Sequence, residues 1–200
     1  MKPRVYDVAS GLLRIIFRTL FRTKAYGVEN IPRNGALIMA CNHLSYLDPP
    51  ALCFSPRRIS FMAKKELFEI PVLGPLIAAV GAYPVDRQGS AKSAIKQSLA
   101  VLQAGGTVGI FPEGTRNVGG TIQPQTGVAL LASLSGAPVQ PVCVLGGDRA
   151  LRWGNKMKVA WGKPLSLPSD RKATRDDLAK FTEEIMSAIA ALAGSIGGDS

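Results

Sequence analysis

The sequence predicts an α/β domain with a mainly parallel or mixed sheet flanked by helices on both faces, preceded by an amphipathic N-terminal helix. Three observations predict it. Short apolar runs at 36–40, 59–63, 82–85, 107–111, 139–145 and 157–161 alternate with segments of helical spacing, as strands separated by crossover helices do. Polar clusters stand directly after three of these runs, at His43, at Asp86-Arg87 and at Glu113-Gly114-Thr115-Arg116, which is where ligands collect in such sheets. Finally, 200 residues with 46% apolar and 19% charged content are enough for one domain with a real core. The division expected is a docking segment over 1–26 and the α/β domain over 27–200.

Taken in order, residues 5–24 read as a helix. Arg14, Arg18 and Arg22 recur every fourth residue, so they form one basic stripe, while Leu13, Ile16, Phe17, Leu20 and Phe21 fill much of the remaining arc. The apolar run is too short for a spanning helix and too interrupted by arginine for a secretory signal. A basic amphipathic helix lying in the headgroup region of a membrane is expected, with an ordinary surface helix as the alternative. Asn30 to Gly35 is turn chemistry ahead of the first core strand. Pro49-Pro50 and Ser55-Pro56 bracket a short helical or irregular piece before the strand at 59–63. Pro71 and Pro75 forbid one continuous helix there, and 76–80 is a short apolar run of ambiguous type. The run at 82–85 is demoted to an edge strand by Pro84.

Residues 90–104 form the clearest helix of the middle third, with Ser90 able to cap it, an apolar stripe of Ala91, Ile95, Leu99 and Leu102, and Gly105-Gly106 to stop it. A glycine- and threonine-rich loop over 118–126 precedes a helix at 127–134. Thr174 opens the last helix with Asp177 as a capping box. Leu178, Phe181, Ile185, Ile189 and Leu192 make its core face, and Gly194 is expected to end it.

Charge and cysteine content narrow the chemistry. A net charge of +10 calls for an anionic partner, either nucleic acid, a membrane surface or a phosphorylated small molecule. No run of basic residues exceeds two and the aromatics are scattered, so nucleic acid is weakly supported. Three cysteines with a single histidine lack metal-site spacing, so no metal is expected. The absence of a disulfide framework points to a reducing compartment.

The only histidine in the chain, His43, follows the run at 36–40, and Asp48 stands five residues on. If Leu44-Ser45-Tyr46-Leu47 turns back as a helical start, the carboxylate reaches the imidazole, which suits a general base and the group that orients it. On spacing alone a structural histidine is the alternative. Likewise Arg87 and Arg116 are either anion ligands or surface arginines paired with Asp86 and Glu113. Cys41 is two residues from His43, but strand alternation turns it inward, where a free thiol is inert.

Four blocks in this order resemble the glycerolipid acyltransferase family, specifically bacterial 1-acylglycerol-3-phosphate acyltransferases. Asn42-His43 through Asp48 looks like the H-x4-D block, and Gly81-Ala82-Tyr83-Pro84-Val85-Asp86-Arg87 like the block whose arginine is its signature. Phe111-Pro112-Glu113-Gly114-Thr115-Arg116 is similar to the third block, and Val139-Gln140-Pro141-Val142 to the fourth. Ala63-Lys64-Lys65-Glu66-Leu67-Phe68 is family-like as well. One departure is Gln125, where members often carry a lysine ahead of the helix at 127–134.

The resemblance implies transfer of an acyl group from a thioester to the sn-2 hydroxyl of lysophosphatidic acid, with His43 as base and Asp48 orienting it. Acyl-CoA or acyl carrier protein would be the donor, and no cofactor would take part. It further implies that Arg87 and Arg116 bind the acceptor phosphate, with Lys64 or Lys65 adding charge. Glu113 would position the glycerol part or organise Arg116, while Gly114 lets the backbone approach and Thr115 offers a hydroxyl. A peripheral position on the cytoplasmic face of the cell membrane follows from the lipid substrate. Two alternatives stand beside this reading: acylation of another lyso-lipid, such as a lyso-ornithine lipid or a lysophospholipid in remodelling, and a non-catalytic basic membrane- or nucleic-acid-binding module.

Overall fold

A computed structural model describes residues 3–85, 91–113, 126–150, 156–168 and 173–198. Seven strands form one sheet: β1 (Lys24–Tyr26), β2 (Leu37–Cys41), β3 (Ile59–Lys64), β4 (Tyr83–Val85), β5 (Thr107–Ile110), β6 (Val139–Leu145) and β7 (Lys158–Trp161). Their order across the sheet is β1-β7-β6-β2-β5-β3-β4, and among the described residues only the β6–β7 pair of strands is antiparallel. The expected mainly parallel sheet is therefore present. Pro84 sits in the outermost strand β4, where a missing N–H costs no central ladder bond.

Side-chain alternation divides the core between the two faces. Leu37, Met39 and Cys41 of β2 point to one face with Val142, Val144, Val159 and Trp161. Helices α1 (Pro3–Thr19) and α2 (Asp48–Ala51) cover that side, burying Phe17, Phe21 and Ala51. Ile38 and Ala40 point to the other face, covered by α4 (Ala91–Gln103), α5 (Gly127–Ser135) and α6 (Arg175–Gly197) through Leu102, Val128, Leu131, Phe181 and Ile185. Every residue of β2 is buried, so this strand is sandwiched on both faces and flanked on both edges. Such a strand is the most rigid place from which to project a functional side chain.

Two local expectations are corrected. The N-terminal helix ends at Thr19, not Lys24, because Arg22 adopts a left-handed φ of 47° and Lys24–Tyr26 pair in parallel with β7. As expected from Pro71 and Pro75, no continuous helix runs through both prolines: α3 (Leu73–Ala79) begins after Pro71 and holds Pro75 in its first turn, where no intrahelical donor is required. Helix α6 continues through Gly194 to Gly197; a glycine inside a helix costs about 1 kcal/mol, and burial of Ile196 on the far side offsets it. The capping box of Thr174 and Asp177 forms as expected, with Thr174 N–H donating to Asp177 Oδ2 at 2.8 Å. The loop expected over 118–126 lies, except for Thr126, outside the described residues.

Helix α1 differs from its predicted wheel in a consequential way. Its apolar residues separate into two stripes. Leu13, Phe17 and, just past its end, Phe21 pack into the domain, with the Phe17 and Phe21 rings 5.1 Å apart. Val8, Leu12, Ile15 and Leu20 stay between 58% and 67% exposed. Within the arginine stripe Arg14 donates to the carbonyls of Cys53 and Ser55, while Arg18 lies 5.6 Å over the Phe54 ring and stays exposed, as does Arg22. The helix is thus apolar on two sides, and only one side is used by its own core. Among the described residues no helix is long and apolar enough to cross a membrane.

Candidate active site

The carboxyl ends of β5, β2 and β6 lie side by side at the centre of the sheet, and the residues that follow these strands meet there. After β2, Asn42 locks its strand to β6 by two bonds. Its Nδ2 donates to the Val144 carbonyl at 2.8 Å, and its Oδ1 accepts the Val144 N–H at 2.7 Å. This places His43 as the first residue free of the ladder. The chain then folds back in a turn around the carboxylate of Asp48, which begins α2. Asp48 Oδ2 accepts the N–H of Leu44 at 2.7 Å, the N–H of Ser45 at 2.6 Å, and a bond from His43 Nδ1 at 3.1 Å.

The protonation pattern follows from that count. Asp48 is fully buried, and an oxygen that already accepts two backbone N–H groups is an acceptor, so His43 Nδ1 donates to it. The neutral imidazole then carries its lone pair on Nε2, available to take a proton from a bound molecule. The His43 side chain retains 15% exposure, enough to be reached. Its ring stacks on Phe111 with centroids 4.1 Å apart and planes 24° from parallel, which restricts rotation about the Asp48 bond. Phe61 stacks in turn on Phe111 at 6.1 Å, and Gly109 makes room for it, because a Cβ there would lie 2.2 Å from the Phe61 ring.

Glu113 follows β5 and is 7% exposed; its Oε1 accepts the backbone N–H of His43 at 3.4 Å, so the third block of the sequence does meet the first. Lys64 ends β3, one strand beyond β5, and is exposed. It makes no ion pair among the described residues. Arg87, Gly114, Thr115 and Arg116 lie outside the described residues, as do Asp86 and Gln125. Cys41 is buried beneath the site and burial pushes its thiol well above the ordinary value, as expected for an inert cysteine.

One residue of the site escaped sequence reasoning. Gly147, in the turn after β6, stands against Asp48: a Cβ there would lie 2.7 Å from Asp48 Oδ1 and 3.1 Å from Ser45 Cβ. The constraint is space, not backbone conformation. The Gly146-Gly147 pair directly after a strand was the available signal, and it reads as a plain turn until the tertiary contact is known. Gly147→Ala is expected to displace the carboxylate by a few tenths of an ångström and to lower turnover by about tenfold or more, with a stability loss of about 1–3 kcal/mol. Steady-state kinetics alongside thermal melting check it; a variant with unchanged kcat would remove Gly147 from the site.

A family model described as Acyltransferase matches residues 22–145, a span that includes His43, Asp48, Arg87, Glu113 and Arg116. The chain is 32% identical over 192 residues to the 1-acyl-sn-glycerol-3-phosphate acyltransferase of Bacillus subtilis, covering 90% of this chain and 93% of that one. It is 31% identical over 179 residues to the 1-acyl-sn-glycerol-3-phosphate acyltransferase of Streptococcus pneumoniae, covering 86% and 66%. Among solved structures, the 1-acyl-sn-glycerophosphate acyltransferase PlsC from Thermotoga maritima superposes with a TM-score of 0.76 at 25% identity, over 94% of this chain and 79% of that one.

Proposed function

Because this chain belongs to the acyltransferase family, we propose that it transfers an acyl group from acyl-CoA or acyl carrier protein to the sn-2 hydroxyl of 1-acylglycerol 3-phosphate, giving phosphatidic acid. The observation that carries the mechanism is the Nδ1 contact of His43 with a buried carboxylate, which leaves Nε2 as the base on a partly exposed ring.

An alcohol is a weak nucleophile near neutral pH, so its proton must leave as the new bond forms. His43 Nε2 accepts that proton while the hydroxyl oxygen attacks the thioester carbonyl. Asp48 holds the tautomer and stabilises the imidazolium beside it. Collapse of the tetrahedral intermediate breaks the C–S bond, and the imidazolium returns its proton to the departing thiolate. The acceptor itself attacks, so no acyl-enzyme forms and no cofactor enters.

The acceptor phosphate is assigned, on motif resemblance, to Arg87 and Arg116, whose guanidinium forks match phosphate oxygens, with Lys64 adding charge from the end of β3. Gly114 and Thr115 complete that loop. Glu113 fits an organising role, since it already binds the backbone of His43.

A lipid acceptor requires an interface. The outward stripe of Val8, Leu12 and Ile15 on α1, with Leu20 just past its end, is the proposed contact with the cytoplasmic face of the cell membrane, and it works through apolar area more than through Arg14, two of whose donors are engaged inside.

One assay tests both parts. Purified protein is offered acyl-CoA and acyl carrier protein with vesicle-borne 1-acylglycerol 3-phosphate, lyso-ornithine lipid and phosphocholine lysolipid, and products are identified by mass spectrometry. Phosphatidic acid is the expected main product, and Leu12→Glu/Ile15→Glu is expected to lower the rate on vesicles far more than on a dispersed short-chain acceptor. Equal acylation of the lyso-ornithine lipid would overturn the choice of acceptor, and equal losses on both presentations would overturn the docking surface.

A further inference from the structure

Away from the active site, at the amino ends of β3 and β5, a cleft of about 480 Å³ opens between α1, the segment before β3 and the turn before β5. Roughly 13 Å of strand separates Thr107 at its floor from Phe111 beside His43. Arg14, Arg57 and Arg58 line it against a single acidic side chain, Asp7, whose carboxylate is taken by the Arg58 fork at 2.8 and 2.9 Å. That leaves an excess of two positive charges.

The other two guanidiniums have no carboxylate partner among the described residues. Arg14 is held by the carbonyls of Cys53 and Ser55, and Arg57 by those of Pro32, Gly35 and Gly105. These bonds fix both forks in place. They use only the Nε and Nη2 groups of Arg14 and the two Nη groups of Arg57, so donors remain on each. Partial burial draws the Arg57 guanidinium below its ordinary pKa.

A second observation is independent of the arginines. Thr107 is 1% exposed, and its Oγ1 has no hydrogen-bond partner. Strand alternation turns it away from Val108, which faces α4 and α5, and toward the side of the sheet that α1 covers, where the cleft lies. A buried hydroxyl left unpaired costs about 1–3 kcal/mol. Thr107 lines the same cleft as Arg14 and Arg57.

We propose that this cleft is a second anion site, which takes a dianionic phosphoryl group on the free donors of Arg14 and Arg57 with the Thr107 hydroxyl beneath it. Its charge excess matches a phosphate monoester, whether the group arrives as a free phosphate ester or as a lipid headgroup beside the outward stripe of α1.

The test is an NMR titration of the full chain, following the Arg57 Nε–H and Thr107 amide resonances, first with inorganic phosphate and then with phosphatidylcholine vesicles with and without phosphatidic acid. Saturable shifts are expected in the wild type. Thr107→Val is isosteric and removes an unpaired hydroxyl, so it is expected to fold with an equal or higher Tm yet bind phosphate about tenfold more weakly, the loss of one hydrogen bond to a charged group. Response to phosphatidic acid vesicles that Thr107→Val also weakens identifies a headgroup as ligand; response to free phosphate alone identifies a soluble ester. No saturable shift at these resonances with either probe, or equal affinity in Thr107→Val, overturns the site. His43→Ala should leave this titration unchanged, which separates it from the proposed catalytic reading.

Discussion

His43→Ala is expected to lower kcat by about 10²- to 10⁴-fold, the range general-base assistance contributes, with little change in melting temperature. The reason the fold should tolerate it lies in the turn. Asp48 Oδ2 loses the imidazole but keeps the N–H groups of Leu44 and Ser45 at 2.7 and 2.6 Å, so the buried carboxylate is not stranded. The ring itself contributes one stacking contact with Phe111 and is partly exposed. Single-turnover measurement of acyl transfer, paired with a thermal melt, separates lost chemistry from lost structure. Retention of more than about a tenth of wild-type turnover in a folded variant would mean that another group takes the proton.

Asp48→Asn should be nearly as damaging, and for a reason that geometry makes specific. The amide must present its oxygen to Leu44 N–H, Ser45 N–H and His43 Nδ1–H, because an NH₂ group there would face three donors. Its NH₂ is then directed to the position of Oδ1, which is buried without a hydrogen-bond partner and lies against Gly147. The tautomer of His43 survives, but the negative charge next to the imidazolium does not. At about 4 Å and an effective dielectric near 20 the Coulomb energy at stake is about 4 kcal/mol as an upper figure. After screening, a fall in kcat of about 10²- to 10³-fold is expected with KM for the acceptor nearly unchanged. The unpaired NH₂ adds a stability loss of about 1–3 kcal/mol. A variant in which KM rises while kcat holds would assign Asp48 to substrate binding and not to the base.

Much of the site was legible before any coordinates. A lone imidazole, a carboxylate five residues on and an intervening segment able to turn are sufficient to suggest the pair, because the only contacts required are local. The meeting of His43 with Glu113 was foreshadowed by both standing after apolar runs, since parallel strands deliver their carboxyl ends to one edge. Gly147 and Asn42 were not legible in the same way. Each acts across the sheet, Gly147 on Asp48 of α2 and Asn42 on Val144 of β6, and nothing in local spacing says which strands are neighbours.

Helix α1 shows the same division. Periodicity alone pointed to a helix over residues 5–24, apolar over a wide arc, of which the structure keeps the part up to Thr19. Which part of that arc enters the core depends on where Cys53, Phe54 and Ser55 arrive from another part of the chain. The same contacts make Arg14 a tie between α1 and the domain.

By itself, then, the sequence determined the α/β class, most elements, the acyltransferase motifs and the local His43–Asp48 pair, because these depend on periodicity and on contacts within a few residues. Strand order, the outward stripe of α1, the packing of Gly147 on Asp48 and the cleft beneath Arg14 and Arg57 were decided only by tertiary structure. They arise where segments distant along the chain compete for the same space, and that competition is resolved by packing, not by local preference.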